Sequence, residues 1–419
     1  MRTLLRGGKV FDGTGADAAP ADVVIADGRV VGVGTGLDGD EEVDVTDKTI
    51  LPGMFDCHVH LTASGVDELQ RLHSPFSYQF FAAERHMRDT LAAGVTTVRD
   101  LGGADAGIRQ AQADGLIAGP RVLLAVNLIG QTGGHSDGWL RSGYDSPQSL
   151  PHPGRPSGLA DGPDEMRRAV RLMLRAGADV IKVCATGGVL SPASNPRHAQ
   201  FSRTELEVAV TEAAAVGVPV AAHAQGPAGI KNALLAGVRS IEHGIYLDDE
   251  AIELMLDSGA WLVPTLVAPI AVIEAAEAGA GMAAAVLDKA REVARVHTDS
   301  VRRAAAAGVR IAMGTDSGVG PHGQNLRELE LMAGCGMSPQ SVLHAATGSA
   351  AGLCRLGEVT GRVSPGFAAD LVVVDGDPYE FAGLTERISQ IWQQGRRVEP
   401  GLHLGTKSTT VNQDRSDRT

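Results

Sequence analysis

Two histidines, His58 and His60, stand one residue apart at the end of the apolar run MFDCHVH, which begins at Met54. Alternate residues of a β-strand point to the same face, so both imidazoles are expected to project together. Neutral imidazole is a common ligand of zinc and similar divalent ions. A single HxH pair also arises by chance, so it is weak evidence by itself. A metal site would need further ligands from elsewhere in the chain.

Four more residues suited to such a site end or interrupt other short apolar runs. His223 is in VPVAAHA, His243 is in SIEHG, Asp316 ends IAMGTD, and Lys182 lies within DVIKVCA. If these runs are parallel strands of one barrel, their carboxyl ends meet at one mouth. Four imidazoles and a carboxylate would then share a cavity and could bind divalent cations there.

Lys182 interrupts an apolar strand between Ile181 and Val183. A buried ammonium is costly unless it is paired or neutralised, and pairing with Asp316 or Glu242 is the plain explanation. Conversion of the amine by CO₂ into a carbamate is the alternative hypothesis, since a carbamate would offer oxygen ligands to two neighbouring cations.

The elements that carry these residues follow a regular alternation. Short β-branched runs are each followed by an Ala- and Leu-rich helical stretch, which is typical of βαβ units and a parallel sheet. Several helices are predicted to end at a glycine just before the next strand, as in AAAGVRIA. The pattern predicts an α/β fold, a (β/α)8 TIM barrel, from eight strands: MFDCHVH, GVTTVRDL, PRVLLAV, ADVIKVCA, VPVAAHA, VRSIEHG, AWLVPTL and VRIAMGTD.

Both ends of the chain have a different texture. Short β-rich pieces joined by turn residues, including an Asp-Gly hairpin signal, fill the amino-terminal part, and similar pieces return near the carboxyl end. We expect one composite β-sandwich from residues 1–53 and 357–405, a barrel of residues 54–356, and a disordered tail over residues 406–419.

Composition excludes several classes of protein. The chain has 419 residues, and its net charge of -13 argues against nucleic acid or an anionic membrane surface as the main partner. The four cysteines lie far apart, which indicates neither a disulfide framework nor a cysteine zinc site. No apolar run looks like a membrane span or a signal peptide, so a cytoplasmic enzyme is expected. The oligomeric state stays open, and a homo-oligomer is compatible with the sequence.

Together, the motifs LPGMFDCHVHL, DVIKVCATGG, AAHAQG, IEHG and GTDSG resemble the amidohydrolase superfamily of metal-dependent hydrolases. The resemblance covers nearly the full chain, and TVRDLGG and GQTGGHSDGW are similar to the imidazolonepropionase-related branch, which includes prolidase-like dipeptidases. It implies two Zn²⁺ or other divalent ions per chain, held by His58 and His60, by His223 and His243, and by a bridging carbamate on Lys182, with Asp316 matching the aspartate of the last strand.

The resemblance also implies a reaction, which is hydrolysis of the amide bond of a dipeptide or an N-acyl amino acid by a metal-activated hydroxide. Divalent cations lower the pKa of bound water towards neutrality. Asp316 is expected to accept the proton and to return it to the departing amine, besides acting as a ligand. A non-peptide amide, a carbamate or a cyclic amide is the alternative substrate. A structural homologue without activity is a further alternative, against which the complete ligand set argues.

Three residues outside the ligand set are predicted to face the barrel mouth. His135, in the Gly-, Pro- and Ser-rich segment 130–163, is expected to be catalytic and to contact a substrate carbonyl or carboxylate. Tyr246 is predicted to hydrogen-bond the tetrahedral intermediate, and His322 is predicted to contact substrate. Each has a plain alternative as a loop residue, and the remaining histidines, His297 among them, are interpreted as structural. An apolar pocket floor or ordinary core packing is predicted for Phe76, Tyr78, Phe80 and Phe81.

Overall fold

The computed structural model of the protein describes residues 1–140, 142–191 and 194–398. The strands in chain order are β1 (Arg2–Arg6), β2 (Lys9–Val10), β3 (Ala19–Pro20), β4 (Asp22–Ala26), β5 (Arg29–Gly34), β6 (Glu41–Asp44), β7 (Lys48–Pro52), β8 (Met54–Val59), β9 (Val95–Asp100), β10 (Arg121–Leu124), β11 (Leu128–Ile129), β12 (Ile181–Cys184), β13 (Val220–Ala224), β14 (Ser240–His243), β15 (Trp261–Val263), β16 (Arg310–Ile311), β17 (Leu371–Asp375), β18 (Ile388–Gln393) and β19 (Arg396–Arg397).

The helices lie mostly between the strands of the middle region. In chain order they are α1 (Glu68–His73), α2 (Tyr78–Ala92), α3 (Ala106–Ala113), α4 (Gly162–Arg175), α5 (Arg203–Ala214), α6 (Pro227–Ala236), α7 (Asp249–Ser258), α8 (Val267–Glu277), α9 (Ala284–Ala307), α10 (Arg327–Gly334), α11 (Pro339–Ala345) and α12 (Gly348–Leu353), with a 3₁₀ helix over Thr385–Arg387. No helix of the described residues is long and apolar enough to cross a membrane.

Eight strands of the middle region coincide with the eight predicted runs: β8, β9, β10, β12, β13, β14, β15 and β16. These strands pair in parallel as two arcs, one from β8 to β10 and one from β11 to β16. The second arc includes the short strand β11, which the sequence did not predict. Backbone hydrogen bonds join the arcs on both sides. Cys57 N donates to Met313 O at 2.9 Å, and Val180 N donates to Leu124 O at 3.2 Å. The predicted α/β barrel is therefore confirmed.

Glycines end the helices where the sequence predicts. Helices α6 and α9 stop at Gly237 and Gly308, whose φ angles are 91° and 89°. This left-handed conformation costs a glycine little, because it has no Cβ. The chain therefore turns directly from each helix into the next barrel strand, and the carboxyl ends of the strands are held at one mouth.

Strands from both chain ends form two sheets that pack on each other. One sheet has the order β5-β4-β1-β6, and the other has the order β19-β18-β17-β7-β2-β3. The two ends of the chain meet where β17 pairs antiparallel with β7, Leu371 opposite Pro52. Residues of both sheets, such as Leu5 and Trp392, share one buried cluster. The limits 1–53 with 357–405 and 54–356 stay a prediction, and residues 399–419, with the predicted tail, lie outside the described residues.

One glycine links this sandwich to the barrel. Gly53 is the single residue between β7 and β8, and a Cβ there would lie 2.1 Å from Thr96 Oγ1 on β9. The backbone therefore passes in direct contact with β9, and β8 continues straight from the sandwich strand. Because β8 carries His58 and His60, the sandwich helps to fix the position of both histidines.

Candidate active site

The four predicted histidine ligands and His135 form a continuous row of rings. His58 and His60 lie at the end of β8, while His223 and His243 lie at the ends of β13 and β14. Adjacent ring centroids are 5.5 Å apart for His60 and His58, 5.0 Å for His58 and His243, 4.7 Å for His243 and His223, and 4.2 Å for His223 and His135. The barrel thus brings together five imidazoles that are widely separated in sequence.

Each of the four histidines contacts a protein partner outside the row of rings through one ring nitrogen. A neutral imidazole has one donor and one acceptor nitrogen, so an acceptor on one side leaves a lone pair on the other. The partners are Glu242 Oε2 for His58 Nδ1 (3.0 Å), Gly102 O for His60 Nδ1 (2.7 Å), Gly187 O for His223 Nε2 (3.0 Å) and Thr265 Oγ1 for His243 Nδ1 (2.7 Å).

Asp316 closes the cluster on the side of β8. Its Oδ1 lies 3.2 Å from His60 Nε2 and 3.5 Å from His58 Nε2. One ligand atom from each of these three residues lies within 4.8 Å of the others. Asp316 has a φ of 61° and His243 a φ of 73°, both unusual for residues with a Cβ. Such strained backbone is concentrated at functional sites, and this donor set fits a divalent cation.

Lys182 reaches the same cluster from β12. The residue is 1% exposed, and its Nζ has no hydrogen-bond partner among the described residues. Glu242, a predicted partner, instead contacts Arg99 through Oε1 and His58 through Oε2. The plain explanation of a paired lysine is therefore wrong for Glu242, and Asp316 makes no hydrogen bond to the amine either. Burial lowers the pKa of Lys182, which favours the neutral amine.

Burial also favours the neutral form of four of the five imidazoles. It lowers the pKa of His58, His223 and His243 well below the usual value, and it lowers the pKa of His135 to about 4. The pKa of His60 is the exception, because the Asp316 carboxylate beside its Nε2 outweighs burial and raises that pKa. Burial by itself would raise the pKa of Asp316, but a hydrogen bond from His60 and the positive charge that His58 and His60 carry when protonated hold that pKa below its usual range. Metal ligation requires neutral imidazoles and an ionised carboxylate, so a cation would take the place of the proton shared by His60 and Asp316.

A cavity of about 980 Å³ opens above this cluster. His58, His60, Lys182, His223 and Asp316 are among its lining residues, as are His135 and His243. One side, which we call the aliphatic wall, is lined by Val66, Val189, Leu190, Ile245, Ala268, Val272, Met282, Val286, Val293 and Val319.

The other side of the cavity is more exposed. This outer wall consists of Leu72, Phe76, Tyr78, Trp139, Leu140, Tyr144 and Leu150. Trp139 is 59% exposed and Tyr144 is 65% exposed, although the chain has few aromatic residues. Arg71 on α1 donates to Ser146 Oγ at 2.8 Å and so joins the two segments of the wall. Apolar side chains exposed at a cavity mouth are typical of a surface that a ligand covers.

Comparison with known proteins identifies the family. Residues 49–400 match the model of the Amidohydrolase family. The chain belongs to this family. Ochratoxinase of Aspergillus niger is 34% identical to this amidohydrolase over 427 aligned positions, covering 96% of the chain and 87% of the relative.

Solved structures agree with this assignment. A Xaa-Pro dipeptidase with methionine bound in its active site has a TM-score of 0.87 at 34% identity, covering 95% of this amidohydrolase and 100% of the other chain. The structure of the Aspergillus niger ochratoxinase has a TM-score of 0.83 at 33% identity, covering 95% and 97%. The protein is accordingly a hydrolase of C–N bonds from a metal-dependent family.

Two residues predicted at the mouth of this amidohydrolase are not among those that line the cavity. His322 stacks on His86 with 4.3 Å between ring centroids, on the side of Thr90. The substrate contact expected of His322 stays a prediction, and in this structure its ring packs against α2. Tyr246 donates from its hydroxyl to Glu292 at 2.9 Å, and Arg197 stacks on its ring. The hydrogen bond from Tyr246 to a tetrahedral intermediate therefore stays a prediction.

The predicted aromatic cluster divides between wall and surface. Phe76 and Tyr78 line the outer wall of the cavity rather than its floor. Phe80 contacts the rings of Phe76 and His152, whereas Phe81 is 74% exposed. Only part of the cluster can therefore meet a substrate.

Sequence reasoning missed several residues that support the site. His297 on α9 is buried, lines the cavity, and has its Nε2 2.8 Å from His243 O. Arg99 was also missed, and it forms a buried pair beside His58 with Glu242, which the sequence had indicated only as a partner of Lys182. A charged residue inside a strand with buried neighbours, as in VTTVRD and SIEH, is the signal that could have found this pair.

Proposed function

We propose that this amidohydrolase is a binuclear metal-dependent enzyme that cleaves the amide bond of dipeptides, in the manner of a prolidase, or of N-acyl amino acids. The observation that carries the proposal is the cluster in the cavity, where Nε2 of His58 and of His60 lies beside Asp316. The same cavity is lined by His223, His243 and Lys182, whose Nζ has no hydrogen-bond partner among the described residues. Zinc is the expected metal, because the donors are imidazoles and oxygen atoms.

The ligand roles follow the sequence prediction. His58 and His60 would hold one ion with Asp316, and His223 and His243 would hold the other. Lys182, as a carbamate formed with CO₂, would contact both ions. The buried amine without a partner supports this assignment, since a carbamate would remove the penalty of an isolated ammonium. When bound, two such cations supply an activated water and positive charge beside the scissile carbonyl.

Two side chains of the protein would then handle protons and substrate. Asp316, through Oδ1, accepts the proton of the attacking water and returns it to the amine that leaves. Its low pKa keeps it ionised at neutral pH, as a proton acceptor must be. His135 is neutral because burial lowers its pKa to about 4, and its Nδ1 has no hydrogen-bond partner among the described residues. We assign to it the contact with a substrate carbonyl or carboxylate.

The size and lining of the cavity indicate which substrates would fit. A volume of about 980 Å³ lies at the upper end of the range for small-molecule sites, well above what a small dipeptide fills. Both the aliphatic wall and the outer wall are apolar, which favours substrates with a bulky apolar group beside the amide. The relative named as a Xaa-Pro dipeptidase supports peptides, while the relative named as an ochratoxinase supports amide hydrolysis more broadly.

The test is amine release by zinc-loaded protein from a library of L-Xaa-L-Xaa dipeptides and N-acyl amino acids with small and bulky acyl groups. The same library contains anilides, carbamates and cyclic amides, and the Asp316→Asn protein serves as the blank. Hydrolysis of a coherent set of dipeptides or N-acyl amino acids supports the proposal. Hydrolysis confined to the other amides moves the function to the non-peptide alternative, and silence with two metals per chain overturns it.

A further inference from the structure

A charged layer lies inside the barrel directly beside the histidine cluster. Barrel interiors are normally filled by branched apolar side chains. Here Arg99 on β9 is 4% exposed, and Glu242 on β14 is fully buried. Arg99 Nη2 donates to Glu242 Oε1 at 2.8 Å, and Ser240 Oγ also donates to that oxygen. A buried ion pair is weak support for stability, because desolvation offsets most of the attraction.

The pair has a role other than stability, because Glu242 also contacts His58. Oε1 of Glu242 accepts hydrogen bonds from Arg99 and Ser240. The other oxygen, Oε2, lies 3.0 Å from His58 Nδ1. An ionised carboxylate only accepts hydrogen bonds, so Nδ1 must carry the proton and Nε2 must carry the lone pair. That Nε2 is the atom that faces Asp316, at 3.5 Å.

His58 differs in this respect from the other three histidines of the cluster. Their partners are two backbone carbonyls and the hydroxyl of Thr265, which are neutral. A carboxylate partner makes an imidazole a stronger donor to a metal as well as fixing its orientation.

We propose that Glu242, held by Arg99 and Ser240, is a positioning residue that fixes His58 in the tautomer with a free Nε2. This inference rests on the proposed metal centre. It assigns to the buried ion pair a role in metal affinity.

Glu242→Gln is the sharp variant, because it preserves shape but not the acceptor. The glutamine Oε1 can still accept from Arg99 and Ser240, and its amide nitrogen then faces His58 Nδ1 as a donor. Nδ1 would have to accept, so Nε2 would be protonated and lost as a ligand. Glu212→Gln is the matched control, since it makes the same change at a carboxylate that pairs with Arg167 and Arg171 away from the histidine cluster. Glu242→Asp keeps the charge and should recover part of the effect.

The measurement is zinc affinity by competition with a chelator, with turnover at limiting and at excess zinc. Glu242→Gln should bind one of its two ions about 10- to 100-fold more weakly. Its turnover should fall at limiting zinc and recover with excess zinc, while Glu212→Gln stays close to the wild type. Wild-type affinity in Glu242→Gln would overturn the proposal.

A second measurement does not depend on how the variant folds. ¹⁵N NMR of metal-free wild-type protein should report His58 as the Nδ1–H tautomer, and an Nε2–H tautomer would overturn the proposal. Failure of the proposed hydrolase function would look different from failure of the tautomer proposal. It would appear as wild-type protein that binds no zinc or hydrolyses no amide, whatever tautomer His58 adopts.

Discussion

The imidazole rings of His135 and His223 lie face to face, with 4.2 Å between centroids and 19° between planes. His135 belongs to the loop that follows β11, whereas His223 belongs to β13. Gly188 permits the contact, because a Cβ at that position would lie 2.3 Å from His135 Cε1. The absence of a side chain at Gly188 therefore controls where His135 sits above the proposed metal centre.

Gly188→Ala should displace His135 and reduce kcat/KM by about 100-fold, since small misplacements of an active-site group cost that much. Metal content and the melting temperature should change little. Kinetics on the best substrate of the library, with metal analysis of the same sample, check this. Gly334→Ala on α10 is the control, because a Cβ there meets no atom within 4 Å. Equal kcat/KM for the two variants would contradict the role of His135.

Asp316→Asn should fold and retain zinc, because the amide oxygen remains available as a ligand. Turnover should fall by about 10²- to 10⁴-fold, the usual contribution of a general acid–base group. Steady-state kinetics with circular dichroism and metal analysis test the prediction. Asp145→Asn, which alters another cavity-lining aspartate, is the control. Unchanged turnover in Asp316→Asn would remove this residue from the proton transfer.

Lys182→Ala should bind less than two zinc ions per chain and lose turnover, because the bridging ligand is gone. Wild-type protein stripped of metal should regain activity with zinc only when CO₂ or bicarbonate is present. Metal analysis and reactivation in CO₂-free buffer measure both effects. Lys231→Ala, at a surface ion pair with Glu250 and Asp248, provides the control. Full metal content and full turnover in Lys182→Ala would sink the carbamate hypothesis.

Acid should destabilise the metal-free protein between about pH 6.5 and pH 4. Burial lowers the pKa of His135 and His297 to about 4 and that of His322 to about 3, against about 6.5 in the unfolded chain. In this window the unfolded state binds more protons, so stability falls as the pH falls. Burial raises the pKa of Asp56 to about 6 and also raises the pKa of Asp100 and Glu328, which acts in the opposite direction. More histidines than carboxyls are affected, because burial also lowers the pKa of His58, His223 and His243, so the net direction stays.

Thermal melts of the metal-free protein from pH 7 to pH 4 check the sign of this effect. The midpoint should decrease steadily below about pH 6.5. His322→Phe keeps a ring to stack on His86 and removes one titrating group, so its midpoint should fall less steeply. A midpoint that rises or stays level between pH 7 and pH 5 would contradict the prediction.

The sequence was sufficient to predict the barrel and the residues that lie together at its mouth. Runs such as VPVAAHA show both the strand and its final polar residue, and glycines such as Gly308 mark the helix ends that precede the strands. Strand ends of a parallel barrel converge whatever the loops do. His58, His223 and Asp316 could therefore be assigned to one site without coordinates.

The loops were less predictable for the same reason. His322 and Tyr246 follow barrel strands closely, yet one ring stacks on His86 and the other carries its hydroxyl to Glu292. These partners come from α2 and α9, far away in sequence. No local pattern records which distant helix a loop side chain will meet.

The sequence by itself determined which kinds of ligand atom are present and on which strands they lie, because strand period and strand end are local properties. Only the tertiary structure decided which ring nitrogen of each histidine contacts its protein partner and that Arg99 pairs with Glu242. It also decided that Lys182 Nζ has no hydrogen-bond partner among the described residues. Those facts depend on contacts between strands β8, β9, β12 and β14. Side-chain hydrogen bonding across a barrel is a long-range property, and it is set when the sheet closes.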